Sequence, residues 1–227
     1  NKLYNIISDQ FKELKLINKY VYFILKILPK AFSNLLGIKI LVDNPSEILT
    51  LNNDKLKNFN LIFIDGYFQS INYFYHRQNE IFNKRNIFEN FKLNKEYKEY
   101  NNKINANSIS IHVRKKDYSI ALDDNYYFEA LSLISKMNEN VFIFSDDINY
   151  CKKIFKGIRF IFLETSNADE IQELYLLTHF ENQIISNSTF SLWGALLTFN
   201  PSVNVIAPKN PGIGVIDNLY PPSWTII

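Results

Sequence analysis

From residue 108 onward the chain alternates short apolar segments with longer amphipathic ones, and this alternation constrains the fold more than any other feature. The apolar segments are short and bounded by polar residues, as buried strands are, whereas the longer segments have helical periodicity. The predicted strands are 108–113, 141–145, 159–163, 183–186 and 203–206, and the predicted helices are 126–138, 147–155, 168–180 and 189–198. Strands that alternate with helices indicate a parallel sheet covered on both faces, so the chain is expected to be α/β.

The first half of the chain is less regular. Residues 61–64 are predicted to form a buried strand, and a turn and an aromatic helix follow it. Residues 77–102 are highly charged and are predicted to be helical. We therefore place a domain boundary near residue 103, between an incomplete α/β domain over residues 1–102 and a Rossmann-like domain over residues 103–227.

Residues 2–28 are predicted to form two helices, and the second carries Val21, Ile24 and Leu25 on one face with lysines around them. Pro29 ends this segment because proline cannot continue a helix. A basic amphipathic helix can lie on a membrane, but packing on a core is favoured because such stripes are common in soluble proteins. The protein is expected in the cytoplasm, and a peripheral contact with the inner membrane is kept as an alternative.

Composition excludes several classes of protein. Cys151 is the only cysteine, so neither a disulfide framework nor a cysteine-rich metal site is expected, as in a reducing compartment. No apolar run reaches transmembrane length, and no signal peptide is visible. Residues 103–227 hold 10 Lys and Arg against 13 Asp and Glu, a net charge of −3. Because the sequence shows no basic stripe with interleaved aromatic residues, a nucleic-acid partner is not expected.

Three predicted strands are followed by polar side chains, and ligands of open α/β sheets bind at these carboxyl ends. At the end of the first strand stand His112, Arg114 and Asp117. The planar guanidinium of Arg114 suits a phosphate, and His112 can donate to a base or a phosphate. Asp117 can orient Arg114 or accept a proton. A surface cluster of ion pairs is the alternative interpretation.

The second strand ends in FSDD, which contributes Asp146 and Asp147. A carboxylate here can accept hydrogen bonds from ribose hydroxyls or from the edge of guanine. Capping of the helix 147–155 by Ser145 or Asp146 is the alternative, and it is compatible with that role. A metal site is less favoured, because no third carboxylate lies nearby in the sequence.

The fourth strand leads into ISNSTFS and a helix. Backbone N–H groups and the helix dipole form an anion site at such an end, and hydroxyls add donors. An ordinary N-cap needs one polar residue, whereas four stand here: Asn187, Ser188, Thr189 and Ser191. Together the three strand ends predict a nucleoside-diphosphate site without a Walker A or GxGxxG pattern.

Four motifs in this order resemble the bacterial and animal α-1,2-fucosyltransferase family, which is family 11 of the glycosyltransferases. HVRKKDY at 112–118 is similar to the family's HxRRGDY, and VFIFSDD at 141–147 to its FSDD segment. IISNSTFSLWGALL at 184–197 is similar to its IIANSTFSWWGAWL, and DGYFQSINYF at 65–74 to its GYFQSEKYF. The resemblance covers about residues 60–210.

This resemblance implies a GT-B fold of two Rossmann-like domains, here with an incomplete acceptor-side domain and a C-terminal domain for the nucleotide sugar. The implied reaction is inverting, with GDP-fucose as donor and the 2-hydroxyl of a galactose-containing glycan as acceptor, in the synthesis of lipopolysaccharide or O-antigen. No metal and no other cofactor is implied.

The resemblance also implies roles for individual residues. Arg114 would hold the diphosphate, and His112 would lie near the nucleotide. Asp146 or Asp147 would contact guanine or ribose, and the 188–189 helix end would lie near the phosphates. Removal of a proton from the acceptor hydroxyl needs a base within hydrogen-bond reach.

For that base, Asp117 and Asp124 are candidates, although Asp117 is favoured as the partner that orients Arg114. The chain departs from the family at Lys115 and Lys116, where the family has arginine and glycine, and at Tyr150 and Leu192, where it has tryptophan. The family's Gly-rich GGLGNQ segment does not occur in these residues. A truncated chain that binds a partner without turnover is therefore the alternative, as is a related transferase with another GDP-sugar or acceptor.

Overall fold

The computed structural model describes residues 38–42, 61–65, 70–71, 88, 90–116, 121–135, 139–198, 202–209 and 219–227. The chain divides into two compact units, Asn1–Gln78 with Ile216–Leu219 and Asn79–Val215 with Tyr220–Ile227. The helices predicted within residues 2–28 and the predicted site residue Asp117 lie outside the described residues. So does most of the aromatic segment that follows residue 65.

In the first unit, two strands form a parallel pair. Strand β1 spans Ile38–Val42 and strand β2 spans Leu61–Asp65, with Ile38 opposite Leu61. A parallel pair needs a crossover connection rather than a hairpin, which is typical of α/β structure. The predicted strand at 61–64 is confirmed, whereas β1 was not predicted.

The second unit is built on a parallel sheet of six strands in the order β5-β4-β3-β6-β7-β8. Its strands are β3 (Ile109–Val113), β4 (Val141–Ser145), β5 (Phe160–Phe162), β6 (Asn182–Ile184), β7 (Asn204–Ala207) and β8 (Thr225–Ile226). Its helices are α1 (Lys95–Asn101), α2 (Asp124–Ile134), α3 (Ile148–Ile154), α4 (Glu170–Leu177) and α5 (Thr189–Leu196). All five predicted strands are present, so the α/β class and the Rossmann-like order of the C-terminal half are confirmed.

Helices cover both faces of this sheet, as β4 shows. Its side chains alternate between two cores: Val141 and Ile143 pack with α2 and α3, while Phe142 and Phe144 pack with α1 and α4. All five residues of β3 are buried. Continuous burial of both faces explains why these strands read as apolar runs.

Helix α1 therefore packs on the larger unit, although the predicted boundary places it before residue 103. The assignment of separate functions to residues 1–102 and 103–227 stays a prediction. Among the residues that the structure describes, no helix has both the length and the apolar character needed to cross a bilayer.

Helices α4 and α5 are in close contact at Gly194. A Cβ atom built on Gly194 would lie 2.8 Å from Cδ1 of Leu177, so a larger residue does not fit without movement. The sequence predicts that Trp193 to Ala195 packs between helix and sheet. Ala195 is buried, but Gly194 faces α4 and Trp193 is 37% exposed, so packing against the sheet stays a prediction for this segment.

Candidate functional site

The strand order brings three predicted segments to one edge of the sheet. Strand β3 lies between β4 and β6, with Val113 beside Ser145 and Ile111 beside Ile184. The chain order reverses between β3 and β6, and at such a switch point the loops diverge and leave a crevice. The segments that follow β3, β4 and β6 therefore surround this crevice, as the sequence predicts.

Asp146 holds the loop that follows β3. Its Oδ1 accepts a hydrogen bond from the backbone N–H of Lys115 at 2.8 Å, and its Oδ2 accepts one from Lys116 at 3.0 Å. Oδ2 also lies 3.5 Å from Nε of Arg114. Asp146 is mostly buried, with 15% of its side chain exposed, against 33% for Arg114. The carboxylate thus fixes both the backbone of the loop and the guanidinium that the loop carries.

This geometry gives Asp146 and Asp147 different local roles. Both oxygens of Asp146 are engaged by the β3 loop, which favours a positioning role. Asp147 is the N-cap of α3, where its side chain accepts a hydrogen bond from the N–H of Tyr150 at 3.0 Å. A capped helix is therefore observed, but the cap is Asp147 and not the predicted Ser145 or Asp146. Contact of either carboxylate with guanine or ribose stays a prediction.

His112 lies on β3, one residue before its end, and is 5% exposed. Its Nδ1 is 2.8 Å from Oγ of Ser186, and its ring lies 5.3 Å from that of Phe190 in α5. Burial, followed by the positive charge of Arg114, lowers the pKa of His112 to about 4. The imidazole is therefore neutral at pH 7, and it links the end of β3 to the start of α5.

The four polar residues at the start of α5 divide into distinct roles. Ser188 is the N-cap and accepts a hydrogen bond from the N–H of Phe190 at 3.3 Å. Ser191 is buried and donates to the carbonyl oxygens of Ser186 and Ser188. Asn187 is buried, whereas Thr189 is exposed in the first turn. The hydroxyls of Ser188 and Ser191 are therefore engaged in the local structure, whereas Thr189 is exposed to solvent.

Sequence reasoning missed a polar cluster beside this loop. Lys115 donates from Nζ to the hydroxyl of Tyr150 at 2.9 Å and lies 4.0 Å from Oδ1 of Asp124. The Tyr150 hydroxyl in turn donates to Asp124. The hydrogen bond that Lys115 donates to Tyr150 raises the pKa of the lysine. The substitution of Tyr150 for the family's tryptophan was the available signal, since only a hydroxyl can join these two charges.

Glu173, in the first turn of α4, was also missed. Burial raises the pKa of its carboxyl to about 7, and the Tyr97 hydroxyl donates to it across 3.4 Å. In the sequence, Glu173 falls on the polar side of a predicted amphipathic helix, so the sequence gave no sign that this carboxyl is buried. Among the described residues, no group of three His, Cys, Asp or Glu side chains is placed to hold a metal ion.

The comparison with known families is decisive for this chain. The sequence model described as Glycosyl transferase family 11 matches residues 44–227. The chain belongs to glycosyl transferase family 11. Arg114 and helix α5 of this family 11 chain both lie inside the matched region. The resemblance that the sequence motifs indicated is therefore confirmed.

Two curated relatives and one solved structure resemble this family 11 chain. An alpha-1,2-colitosyltransferase of Escherichia coli is 30% identical over 148 residues, which are 58% of this chain and 50% of the relative. The O-antigen biosynthesis glycosyltransferase WbnK of Escherichia coli is 29% identical over 119 residues, 46% of this chain and 39% of the relative. The chain thus spans half or less of the length of these relatives.

The solved structure is the NodZ alpha-1,6-fucosyltransferase soaked with GDP-fucose. It matches 84% of this chain and 69% of its own, at 18% sequence identity and a TM-score of 0.44. The Rossmann-like strand order of this family 11 chain rests on the pairing of its own strands.

Proposed function

We propose that this chain carries the donor-binding part of an inverting α-1,2-fucosyltransferase, which transfers L-fucose from GDP-fucose to the 2-hydroxyl of a galactoside. The observation that carries this proposal is Arg114 at the switch point, fixed by the buried carboxylate of Asp146. His112 joins that loop to the start of α5. Family membership and the names of the relatives support a transferase of surface-glycan or O-antigen synthesis.

In this reaction the bond between C1 of the sugar and the diphosphate oxygen breaks, and a bond from C1 to the acceptor oxygen forms. GDP leaves with the electron pair and gains negative charge. Donors fixed before the reaction stabilise that charge without reorganising, and the loss of one such donor costs about 10²- to 10³-fold in rate. Arg114 and the 188–189 helix end supply such donors, while Asp146 keeps the guanidinium in place.

The proton of the acceptor hydroxyl goes to a carboxylate or to solvent. We keep Asp117 as the candidate, either as this base or as a second partner of Arg114. Asp124 is less suited, because it already accepts a hydrogen bond from Tyr150 and lies beside Lys115. An Asp117→Asn variant separates the roles: a base lowers kcat at unchanged GDP affinity, whereas a partner of Arg114 weakens GDP binding.

A second donor sugar is favoured by one comparison, since one relative is named an alpha-1,2-colitosyltransferase. The nucleotide contacts would be the same, because the fork of Arg114 recognises the diphosphate and not the sugar. Assays with fucosyl and colitosyl donors on galactoside acceptors distinguish the two activities. Product from the colitosyl donor alone would correct the fucosyl assignment.

The first test is calorimetric titration of the chain with GDP and, separately, with GMP in EDTA. We expect GDP to bind at least about tenfold more tightly, because the β-phosphate adds charged hydrogen bonds. Equal affinities would contradict a diphosphate site. Loss of binding in EDTA, restored by Mg²⁺, would contradict the proposed metal independence. A chain that binds GDP and transfers no sugar would favour the binding-only alternative.

The matched variants are Arg114→Ala and Arg159→Ala. Arg114 follows the carboxyl end of β3, whereas Arg159 precedes the amino end of β5 and so lies at the opposite edge of the same parallel sheet. We expect Arg114→Ala to weaken GDP binding about 10- to 100-fold and Arg159→Ala to leave it unchanged. Equal GDP affinity in wild type and Arg114→Ala would rule out the assigned role.

The remaining parts of the proposal concern the whole protein. A GT-B-like fold is proposed for the whole protein, with the acceptor glycan bound by the acceptor-side domain. The basic segment at residues 19–30, for which the sequence predicts a helix, is the proposed contact with the inner membrane, and flotation of the chain with vesicles containing anionic lipid tests it. An unchanged distribution without and with vesicles would remove this part.

A further inference from the structure

Ser186 makes a contact that links two strands of the site. It stands two residues beyond β6, is 1% exposed, and its Oγ lies 2.8 Å from Nδ1 of His112. Strands β3 and β6 are paired in parallel up to Ile111 and Ile184, and His112 and Ser186 both lie just beyond these last paired residues. Both partners are buried, so this hydrogen bond is formed away from solvent.

The chemistry of the pair decides where the imidazole proton lies. A serine hydroxyl has one proton to donate, and a neutral imidazole has one donor and one acceptor nitrogen. Among the residues that the structure describes, His112 Nδ1 is the sole hydrogen-bond partner of Ser186 Oγ. A buried hydroxyl proton without an acceptor costs free energy. Donation from Oγ to Nδ1 avoids that cost, and the ring proton then lies on Nε2.

The identity of the protonated nitrogen matters because His112 is neutral. A cationic imidazole would offer a donor at both nitrogens, but burial and Arg114 keep the pKa of His112 at about 4. A neutral ring offers a donor at one nitrogen and a lone pair at the other. Phosphate oxygens only accept hydrogen bonds, so an Nδ1–H tautomer would turn a lone pair toward an anion. The ring of Phe190, 5.3 Å away, restricts the orientation of the imidazole.

We propose that Ser186 is a positioning residue that holds His112 in the Nε2–H tautomer, so that the imidazole presents a hydrogen-bond donor to the bound nucleotide. The inference rests on the proposed function for the identity of the ligand. The tautomer itself is a property of the chain without ligand.

The first experiment is long-range ¹⁵N–¹H NMR of the full chain labelled with ¹⁵N-histidine, without nucleotide. The chain has three histidines, so loss of one signal set in His112→Gln assigns the residue. We expect wild-type His112 to show an unprotonated Nδ1 and a protonated Nε2 at pH 7, and Ser186→Ala to show a mixture of tautomers. A proton on Nδ1 in wild type, or an unchanged spectrum in Ser186→Ala, overturns the proposal.

The second experiment is GDP titration of the serine variants. Ser186→Ala should weaken GDP binding by the reciprocal of the fraction of molecules that keep the Nε2–H tautomer, which is about twofold for an even mixture. Ser186→Thr keeps the hydroxyl and should restore most of the affinity. Ser110→Ala is the control, since Ser110 is equally buried on β3. The similar segment of the family has alanine in place of Ser186, so the alanine variant is expected to fold.

The two experiments separate the two claims. Wild-type GDP binding with no loss in Ser186→Ala overturns the positioning role and leaves the proposed function standing. Absence of GDP binding by wild type overturns the proposed function, and the tautomer spectrum then decides the role of Ser186 by itself.

Discussion

The loop that carries Arg114 depends on the carboxylate of Asp146, so Asp146→Asn is the most informative single change. In wild type, two oxygens accept from two backbone N–H groups, of Lys115 and Lys116. Asparagine keeps one oxygen and replaces the other with an NH₂ group, which donates instead of accepting. One backbone N–H then faces a donor, and the attraction to Arg114 is lost.

The magnitude follows from these contacts. A hydrogen bond to a charged group contributes about 1.5–3 kcal/mol, and Asp146 is sufficiently buried for that range to apply. The ion pair with Arg114 adds less than about 1 kcal/mol, because the guanidinium is one-third exposed and the Nε–Oδ2 distance is 3.5 Å. We therefore expect Asp146→Asn to lower the free energy of unfolding of the larger unit by about 2–3 kcal/mol.

Urea unfolding followed by tryptophan fluorescence measures this change. The two tryptophans of the chain, Trp193 and Trp224, both belong to the larger unit, so their emission reports on that unit. Asp147→Asn is the matched control, because asparagine is as good an N-cap as aspartate. A change below about 0.5 kcal/mol in Asp146→Asn, equal to that of the control, would refute the role of this carboxylate.

Three further changes test other features of the unit. Gly194→Ala should lower the free energy of unfolding by about 1–2 kcal/mol, because overpacking against Leu177 outweighs the better helix propensity of alanine; a stabilised variant in the same urea assay would contradict that contact. Folded Glu173 keeps its proton up to a pKa of about 7, whereas the unfolded chain releases it near 4.5, so the free energy of unfolding should fall as pH rises through this window. Glu173→Gln lacks this dependence and should gain up to about 3 kcal/mol over wild type between pH 4.5 and 8, and parallel stability curves would refute the burial of the charge. Tyr150→Phe removes the hydroxyl between Lys115 and Asp124 but keeps the ring 4.1 Å from the ammonium; we expect less than about 1 kcal/mol of lost stability and less than about a threefold change in GDP affinity, and a larger loss of affinity would show that this cluster also holds the loop.

The larger unit was predictable because its central strands β3 and β4 are buried on both faces. Continuous burial yields apolar runs that stand out from amphipathic helices, and the carboxyl ends of such strands meet by topology alone. The sequence therefore predicted that His112, Arg114 and the start of α5 come together. Strand β8, with two residues, is too short to give a periodic signal.

The detailed roles within the site were less predictable, since they depend on which atoms meet. Asp146 and Asp147 are adjacent and have the same side chain, but their partners differ. Asp146 holds the β3 loop, whereas Asp147 caps helix α3. The contact of Ser186 with His112 depends on how strands β3 and β6 pair, and that pairing cannot be read from the sequence alone. Burial of Glu173 depends on the packing of α4 against α1, which lies about 70 residues away in the chain.

The attachment of the β3 loop through backbone amides has a consequence for sequence drift. Every residue other than proline offers the same N–H group, so positions 115 and 116 can change their side chains while the anchor to Asp146 persists. This tolerance explains how Lys115 and Lys116 stand where the family pattern has arginine and glycine. In this chain the loop is held by two kinds of contact to Asp146, from the guanidinium of Arg114 and from the backbone amides of residues 115 and 116.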